Sequence, residues 1–229
     1  MATIFSYCIY GSNPKYVEGM VKNLEQIQVM YPEFQTWIIV GNDVPSTYIE
    51  KYNSFPNVKL THVSETGGRL MTYRFFPIDK SEVDCMIVRD ADSRFGNRDQ
   101  ECIRRFMNSD YTLFTIRDHF YHKCPIMGGQ WGIKRTKVHS EFDLESAYNS
   151  MKDKFEGVDL YGSDEWFTRQ YLYTKYGSHM IAFSSIKYSA GDETIAEIMT
   201  PRRDDTDFCG NVYEFNSDGS TYPVFKFHA

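Results

Sequence analysis

Two aspartates two residues apart, Asp90 and Asp92, stand where an apolar run breaks off in VDCMIVRDADSR. In an extended chain, positions i and i+2 point to the same side, so both carboxylates can face one ligand. Hard oxygen donors in such a pair suit Mg²⁺ or Mn²⁺, which take few protein ligands and fill their shells with water and phosphate oxygens. A cation held there can bridge a diphosphate and neutralise the charge that develops as it leaves. The pattern is short, and Arg89 and Arg94 beside it offer plainer partners on an ordinary surface. What singles it out is its place at the carboxyl end of a predicted strand, where open α/β sheets bind their ligands.

The elements that must position this pair are legible upstream. Thr3–Tyr10 reads as a strand, and Gly11-Ser12-Asn13-Pro14 as the start of a helix, with Ser12 or Asn13 as cap and Pro14 at the first helical position. Tyr16, Val17, Met20, Val21, Leu24 and Ile27 recur at helical spacing, predicting an amphipathic helix to about Tyr31. Thr36–Val40 is a continuous apolar run ending at Gly41, as in a buried parallel strand. A short helix over Val44–Tyr52, a strand over Val58–Val63, a helix over Arg69–Phe76 and a strand over Cys85–Val88 complete an alternation that implies βαβ units. Further on, helices are predicted over Arg98–Met107, Glu141–Lys154 and Asp164–Tyr176. Strands are predicted over Thr112–Ile116, Gln130–Lys134 and His179–Ser184. From Gly191 the chain turns polar and irregular, ending in the aromatic segment Tyr222–Phe227. No repeat, low-complexity tract or linker interrupts it, so one domain over 1–229 is expected.

Composition narrows the function class. The chain has 229 residues, 41% of them apolar, with a formal net charge of −6, which argues against a nucleic-acid partner. No stretch approaches the length of a membrane span, and MATIFSYCIY lacks the cationic start of a signal peptide. Five scattered cysteines without a C-x-x-C pair make a disulfide scaffold or zinc site unexpected, so a cytoplasmic location is the simplest expectation.

With these residues in view, the sequence resembles the Asp-x-Asp glycosyltransferases of the GT-A fold that use nucleotide-sugar donors. The likeness runs through RLMTYRFFPID, RDADSRF, TIRDHFYH, MGGQWGIK and GSDEWFTRQYL, covers most of Thr3–Tyr173, and is strongest to the small single-domain enzymes of large DNA viruses and some bacteria. The resemblance implies a single-domain, Rossmann-like α/β/α sandwich with a mixed central sheet. The nucleotide-binding half would span about 1–95 and the acceptor half about 96–229. It further implies transfer of a sugar from a nucleotide-diphosphate donor, by preference a UDP-sugar, to a glycan or glycoside acceptor.

Residue by residue, the resemblance assigns the loop Tyr7–Ser12 with Gly11, together with Asp43, to the base and ribose. Arg69 or Arg74 would reach the diphosphate or sugar, and Asp90 and Asp92 would form the metal motif, with Asp90 nearer the ribose. His228 matches a histidine that family members often add as a further metal ligand near the end of the domain, although the glycine and lysine that usually accompany it are not evident. Gly11 and Gly41 allow close backbone approach, and a guanidinium matches phosphate oxygens; each arginine is equally at home on a solvated helix face, and Tyr7 in a strand core. Asp118, with His119 and His122, falls after a predicted strand and could grip acceptor hydroxyls or contact the donor sugar; a turn cap is its plainer role. Gly128-Gly129 suggests backbone against a ligand, and Trp131 either a flat face for a sugar ring or a core residue. Asp164 and Glu165 open a helix, where the dipole alone favours carboxylates. One of them, Asp164 by resemblance, could act as base or stabilise an oxocarbenium-like centre. Arg202 and Arg203 lie in a mixed charge run that reads as a surface loop.

Three rivals stand beside this reading. In an aspartyl-nucleophile phosphatase Asp90 would attack and Asp92 act as acid, but that motif usually opens a domain, and here three strands precede it. A nucleotidyltransferase would show a Gly-rich, Arg-containing loop after the first strand, absent from YGSNPKY. A non-catalytic carbohydrate- or nucleotide-binding module uses the same residues without turnover.

Overall fold

The computed structural model describes residues 1–155 and 162–228. The chain runs β1 (Ala2–Ile9), α1 (Pro14–Met30), β2 (Gln35–Gly41), α2 (Ser46–Asn53) and β3 (Val58–Val63). A 3-10 helical run over Gly68–Asp79 leads to β4 (Val83–Arg89), followed by α3 (Asn97–Met107), β5 (Leu113–Arg117) and β6 (Gln130–Lys134). Then come α4 (Leu144–Met151), α5 (Ser163–Phe167) with its continuation to α6 (Thr174–Tyr176), and β7 (Met180–Ser184), β8 (Thr194–Glu197), β9 (Tyr213–Phe215) and β10 (Thr221–Pro223).

Eight strands form one sheet in the order β3-β2-β1-β4-β6-β5-β7-β8, and β9 and β10 pair as a small ribbon. Within the large sheet only β6 runs against its neighbours, pairing antiparallel with β4 (Val88 opposite Trp131) and with β5. The sheet is therefore mixed but mostly parallel, in agreement with the sequence reading.

Side chains alternate across each strand, which divides the core in two. Phe5, Tyr7 and Ile9 of β1, Ile38 and Val40 of β2 and Ile87 of β4 pack on Val17, Met20 and Leu24 of α1 and Ile103 and Phe106 of α3. Ile4, Met86, Val88 and Trp131 face the other way, onto Phe75 and Ile78 of the 3-10 run, Leu144 and Tyr148 of α4, and Phe167. The result is an α/β/α sandwich.

Several boundaries depart from the sequence reading. The helix expected over Arg69–Phe76 is a tighter 3-10 run reaching Asp79; Pro77 lacks the N–H that an α-helix would use. The long helix expected over Asp164–Tyr176 widens into π-type turns over Thr168–Tyr173. The stretch after Gly191 holds three short strands that carry no readable period.

A candidate nucleotide-binding site at the carboxyl end of the sheet

Beyond the carboxyl ends of β1 and β4 lies a cavity of about 390 Å³ lined by, among others, Cys8, Tyr10, Tyr16, Arg74, Asp90, Asp92, His122, Gly128, Gly129, Gln130, Asp164, Glu165, Gly210 and Val212. Asp90 and Asp92 both face it. The backbone that carries them is a turn rather than extended strand, with Ser93 N–H donating to the Asp90 carbonyl at 3.3 Å. Helix α1 fixes this turn: Asn23 Nδ2 donates to Ala91 O at 3.0 Å, and Gly19 lies so close that a Cβ there would stand 2.5 Å from the same oxygen.

The neighbouring arginines do not neutralise the aspartate pair. Arg89 is buried against Asp99 at 2.6 Å, and Arg94 donates to the carbonyls of Ala91 and Ser93. Charge balance comes instead from distant elements. Arg74, in the 3-10 run, donates to Asp90 Oδ1 at 2.6 Å and to Asp164 Oδ2 at 3.0 Å, and the same two terminal nitrogens also donate to the carbonyls of Arg89 and Gly128. Lys15, in the first turn of α1, sits 3.3 Å from Asp92 Oδ2. The carbonyl of Arg74 is itself held by Ser6 Oγ of β1 at 2.6 Å.

Burial is uneven. The Asp90 side chain is 41% exposed, that of Asp92 13%, while Arg74 and Asp164 are almost wholly covered. Burial and then the Asp90 charge push the Asp92 carboxyl above its usual range, against Lys15. Burial also raises Asp164, opposed by Arg74, and raises Glu165, reinforced by Asp164. His122 lines the same wall; burial, with His119 adding to it, pushes its imidazole down to about 4, so it is neutral at physiological pH. Its Nδ1 accepts from the Asp118 N–H at 3.1 Å, which leaves the proton on Nε2.

Glycines make the close approaches possible. A Cβ on Gly129 would lie 2.0 Å from Asp90 Oδ2, and one on Gly128 3.1 Å from Asp164 Oδ2. The glycine pair thus lies against the carboxylates themselves. Trp131 is fully buried on the far face of the sheet, stacked edge-on to Phe75, with Nε1 donating to Gly128 O, so it offers no face to a sugar.

Four carboxylates (Asp90, Asp92, Asp164, Glu165) share this lining with one guanidinium. A polyphosphate entering so negative a cleft requires a cation to accompany it. Among the described residues no three His, Cys, Asp or Glu side chains converge to hold a metal alone. Two carboxylates at the cavity wall, with open space beside them, nevertheless fit Mg²⁺ or Mn²⁺ completed by water and phosphate oxygens.

Not every residue singled out from the sequence reaches the cavity. Tyr7 is fully buried in the core below α1, because strand alternation turns it away from the side that Ser6 and Cys8 face. Gly11 follows the lining residue Tyr10 with φ of +68°. Asp43 and Arg69 are exposed outside the lining. Asp118 is completely buried behind the cavity, gripped by both ends of Arg98 (2.7 and 2.6 Å), by Arg202 (2.6 Å), by Ser185 Oγ and by the Cys209 N–H. It anchors the C-terminal segment and touches no open space. His228 is exposed 3.8 Å from Asp205 and packs on Phe227, apart from Asp90 and Asp92. Conversely, Lys15, Gly210 and Val212 belong to the site without having been singled out. Lys15 carried one signal, a cation in a helix first turn where the dipole disfavours it. The others carried none, since only tertiary folding brings residues 210–212 beside Asp92, through an isolated bridge between Ser93 and Val212 and the Tyr213 N–H donated to Asp92 O at 2.8 Å.

No protein-family model matches the chain, and no curated protein matches its sequence. Solved structures do resemble it. Galactosyltransferase LgtC in complex with donor and acceptor sugar analogs is 11% identical over 80% of this chain and 73% of its own, with a TM-score of 0.55. Mannosyltransferase PcManGT from Pyrobaculum calidifontis, in complex with GDP-Man and Mn²⁺, is 12% identical, with a TM-score of 0.50. That match covers 88% of this chain, which spans 57% of the mannosyltransferase's length. A 4-diphosphocytidyl-2C-methyl-D-erythritol synthase from Anaerococcus prevotii is 7% identical over 81% of this chain and 88% of its own, also with a TM-score of 0.50. At these identities the likeness is one of fold, and the synthase shows that the fold serves more than one reaction. The chain has the Rossmann-like α/β/α fold of the GT-A glycosyltransferases, with its aspartate pair just beyond the carboxyl end of β4.

Proposed function

We propose that this protein is a metal-dependent glycosyltransferase that moves a sugar from a nucleotide-diphosphate donor, a UDP-sugar by preference, to a glycan or glycoside acceptor. The observation that carries this reading is the cavity itself, where Asp90 and Asp92 project beside Asp164 and Glu165 with Arg74 as the lining's one guanidinium. Such a lining suits a diphosphate only together with a divalent cation.

Asp90 and Asp92 would hold Mn²⁺ or Mg²⁺, and the ion would supply neutralisation of the charge on the leaving diphosphate. The chain's own residues do the rest. Arg74 locks Asp90 and Asp164 in fixed positions from one buried guanidinium, so that the carboxylates are preorganised before a donor arrives. Asp164 has one oxygen on Arg74 and the other on the Glu165 N–H, which suits it to steadying positive charge at a sugar carbon or orienting a hydroxyl. Glu165, less buried and with its carboxyl raised, is the better placed of the two to receive the acceptor's proton. His122 presents a neutral imidazole whose Nε2–H can donate to a sugar hydroxyl. Tyr7, Asp43, Arg69 and His228 take no part in this proposal; Asp118 contributes by holding the C-terminal wall in place.

The test is thermal unfolding of wild type and Asp92→Asn with UDP, with Mn²⁺ and with both. A ligand at 100 times its Kd adds about 2.7 kcal/mol of stability, so a shift is expected that needs both additions and disappears in Asp92→Asn. Absence of any shift with UDP, GDP or CDP removes the reading. Release of UDP from a UDP-sugar with an acceptor, without pyrophosphate, then separates it from nucleotidyl transfer.

A further inference from the structure

Lys15 stands in the first turn of α1, a turn with no acidic residue, where its charge opposes the helix macrodipole. What holds it there is Asp92, 3.3 Å away and among the more buried carboxylates of the cavity. The Lys15 side chain is one-quarter exposed and its ammonium lies within reach of the Tyr16 ring, 5.4 Å from its centroid, so it has somewhere to go when it leaves Asp92. The two aspartates are thus balanced by different means. Asp90 is tied to a buried guanidinium with three further anchors and cannot lose it. Asp92 is tied to a flexible, partly solvated amine by a single contact.

We propose that Lys15 is a resident counter-ion for Asp92 that competes with the divalent cation for this carboxylate, and so sets the metal affinity of the cleft. The inference rests on the metal-dependent reading above. In the metal-free protein Lys15 offsets the repulsion between Asp92 and Asp90. A divalent cation must displace the ammonium, which then remains beside the cavity as a spare positive charge for an incoming phosphate. The exchange breaks no covalent bond and leaves Lys15 protonated throughout. Metal is therefore held weakly until a nucleotide supplies both phosphate ligands and a new partner for the ammonium.

The experiment measures Mn²⁺ binding by the loss of the free-ion electron paramagnetic resonance signal, with and without UDP, for wild type, Lys15→Met and Lys22→Met. Lys22 lies on the same helix, paired with Glu25 on the surface, and controls for net charge. The expected result is Mn²⁺ bound about tenfold more tightly by Lys15→Met without UDP, a smaller gain with UDP, and no change in Lys22→Met. Equal Kd values in wild type and Lys15→Met, or equal gains in both variants, overturn the proposal while the metal site stands. No binding by any of the three, even with UDP, overturns the metal-dependent reading and this proposal together. A circular dichroism melt of Lys15→Met within a few degrees of wild type confirms that the variant is folded.

Discussion

Replacing Arg74 by methionine tests the central electrostatic claim about the site. The guanidinium is 3% exposed and makes four hydrogen bonds, two of them to carboxylates. Asp90, with a side chain 41% exposed, can rehydrate when its partner is lost; Asp164, itself almost wholly covered, cannot. At 3.0 Å and an effective dielectric of about 20 the Arg74–Asp164 attraction is about 5 kcal/mol, and removing one partner of a buried pair typically costs about 3–5 kcal/mol. For a chain of this size each kcal/mol moves Tm by about 2–4 °C, so Arg74→Met is expected to melt about 6–20 °C below wild type at pH 8. The pH dependence has a definite sign. Burial already holds the Asp164 carboxyl above its usual range and Arg74 opposes that shift, so the variant raises it further. A carboxyl raised in the folded state costs stability at high pH, and the cost fades as pH falls through the folded pKa towards the unfolded one. The gap in Tm between the two proteins should therefore be widest at pH 8 and clearly narrower at pH 5, as read by differential scanning fluorimetry. A deficit below about 2 °C, or a gap that does not shrink on acidification, refutes the reasoning.

Gly129→Ala places a Cβ 2.0 Å from Asp90 Oδ2 and must swing that carboxylate aside. The expected outcome is loss of the joint UDP and Mn²⁺ stabilisation at a folding cost of only about 1–3 kcal/mol, read by calorimetry and chemical denaturation. Asp118→Asn leaves Arg98 and Arg202 sharing a neutral partner, so a loss of about 3 kcal/mol is expected. Limited proteolysis should then cut faster within residues 200–207, and an unchanged rate would show that Asp118 does not anchor this segment. His122, held down at about 4, takes no proton in the folded state between its unfolded value and that point. Wild type therefore loses stability as pH drops from about 6.5 towards 4, and His122→Gln should lose less over the same interval in urea denaturation.

Continuous apolar runs made β2 and β4 legible, and β3, which alternates between half-buried and exposed positions, was legible without one. Val58–Val63 and Gln130–Lys134 appear with the boundaries their sequence suggests. The aspartate pair was legible too, because the end of such a strand is where ligands gather. The site's counter-charges were legible only in part. Arg74 and Lys15 lie 16 and 77 positions from the aspartates they meet; nothing local separates the candidate Arg74 from Arg69, which stays outside, and Lys15 showed only a cation set against the helix dipole. Asp118 misled for the opposite reason: a carboxylate following a strand has the same local pattern whether it opens on a cavity or, as here, is sealed by two arginines from α3 and the C-terminal segment. Strands of three or four residues, such as β8 to β10, are too short to show a period at all.

The wall formed by Gly210 and Val212 also has a meaning in the order of synthesis. Strands β1 to β8 all precede it in the chain, so the large sheet can assemble on the ribosome while the cavity still lacks one side. Only when residues 210–213 emerge can Val212 bridge Ser93 and Tyr213 reach the Asp92 carbonyl. A cavity walled on this side is then a property only of chains that include residues 210–213, and a protein cut before them can keep its sheet while the cavity stands open.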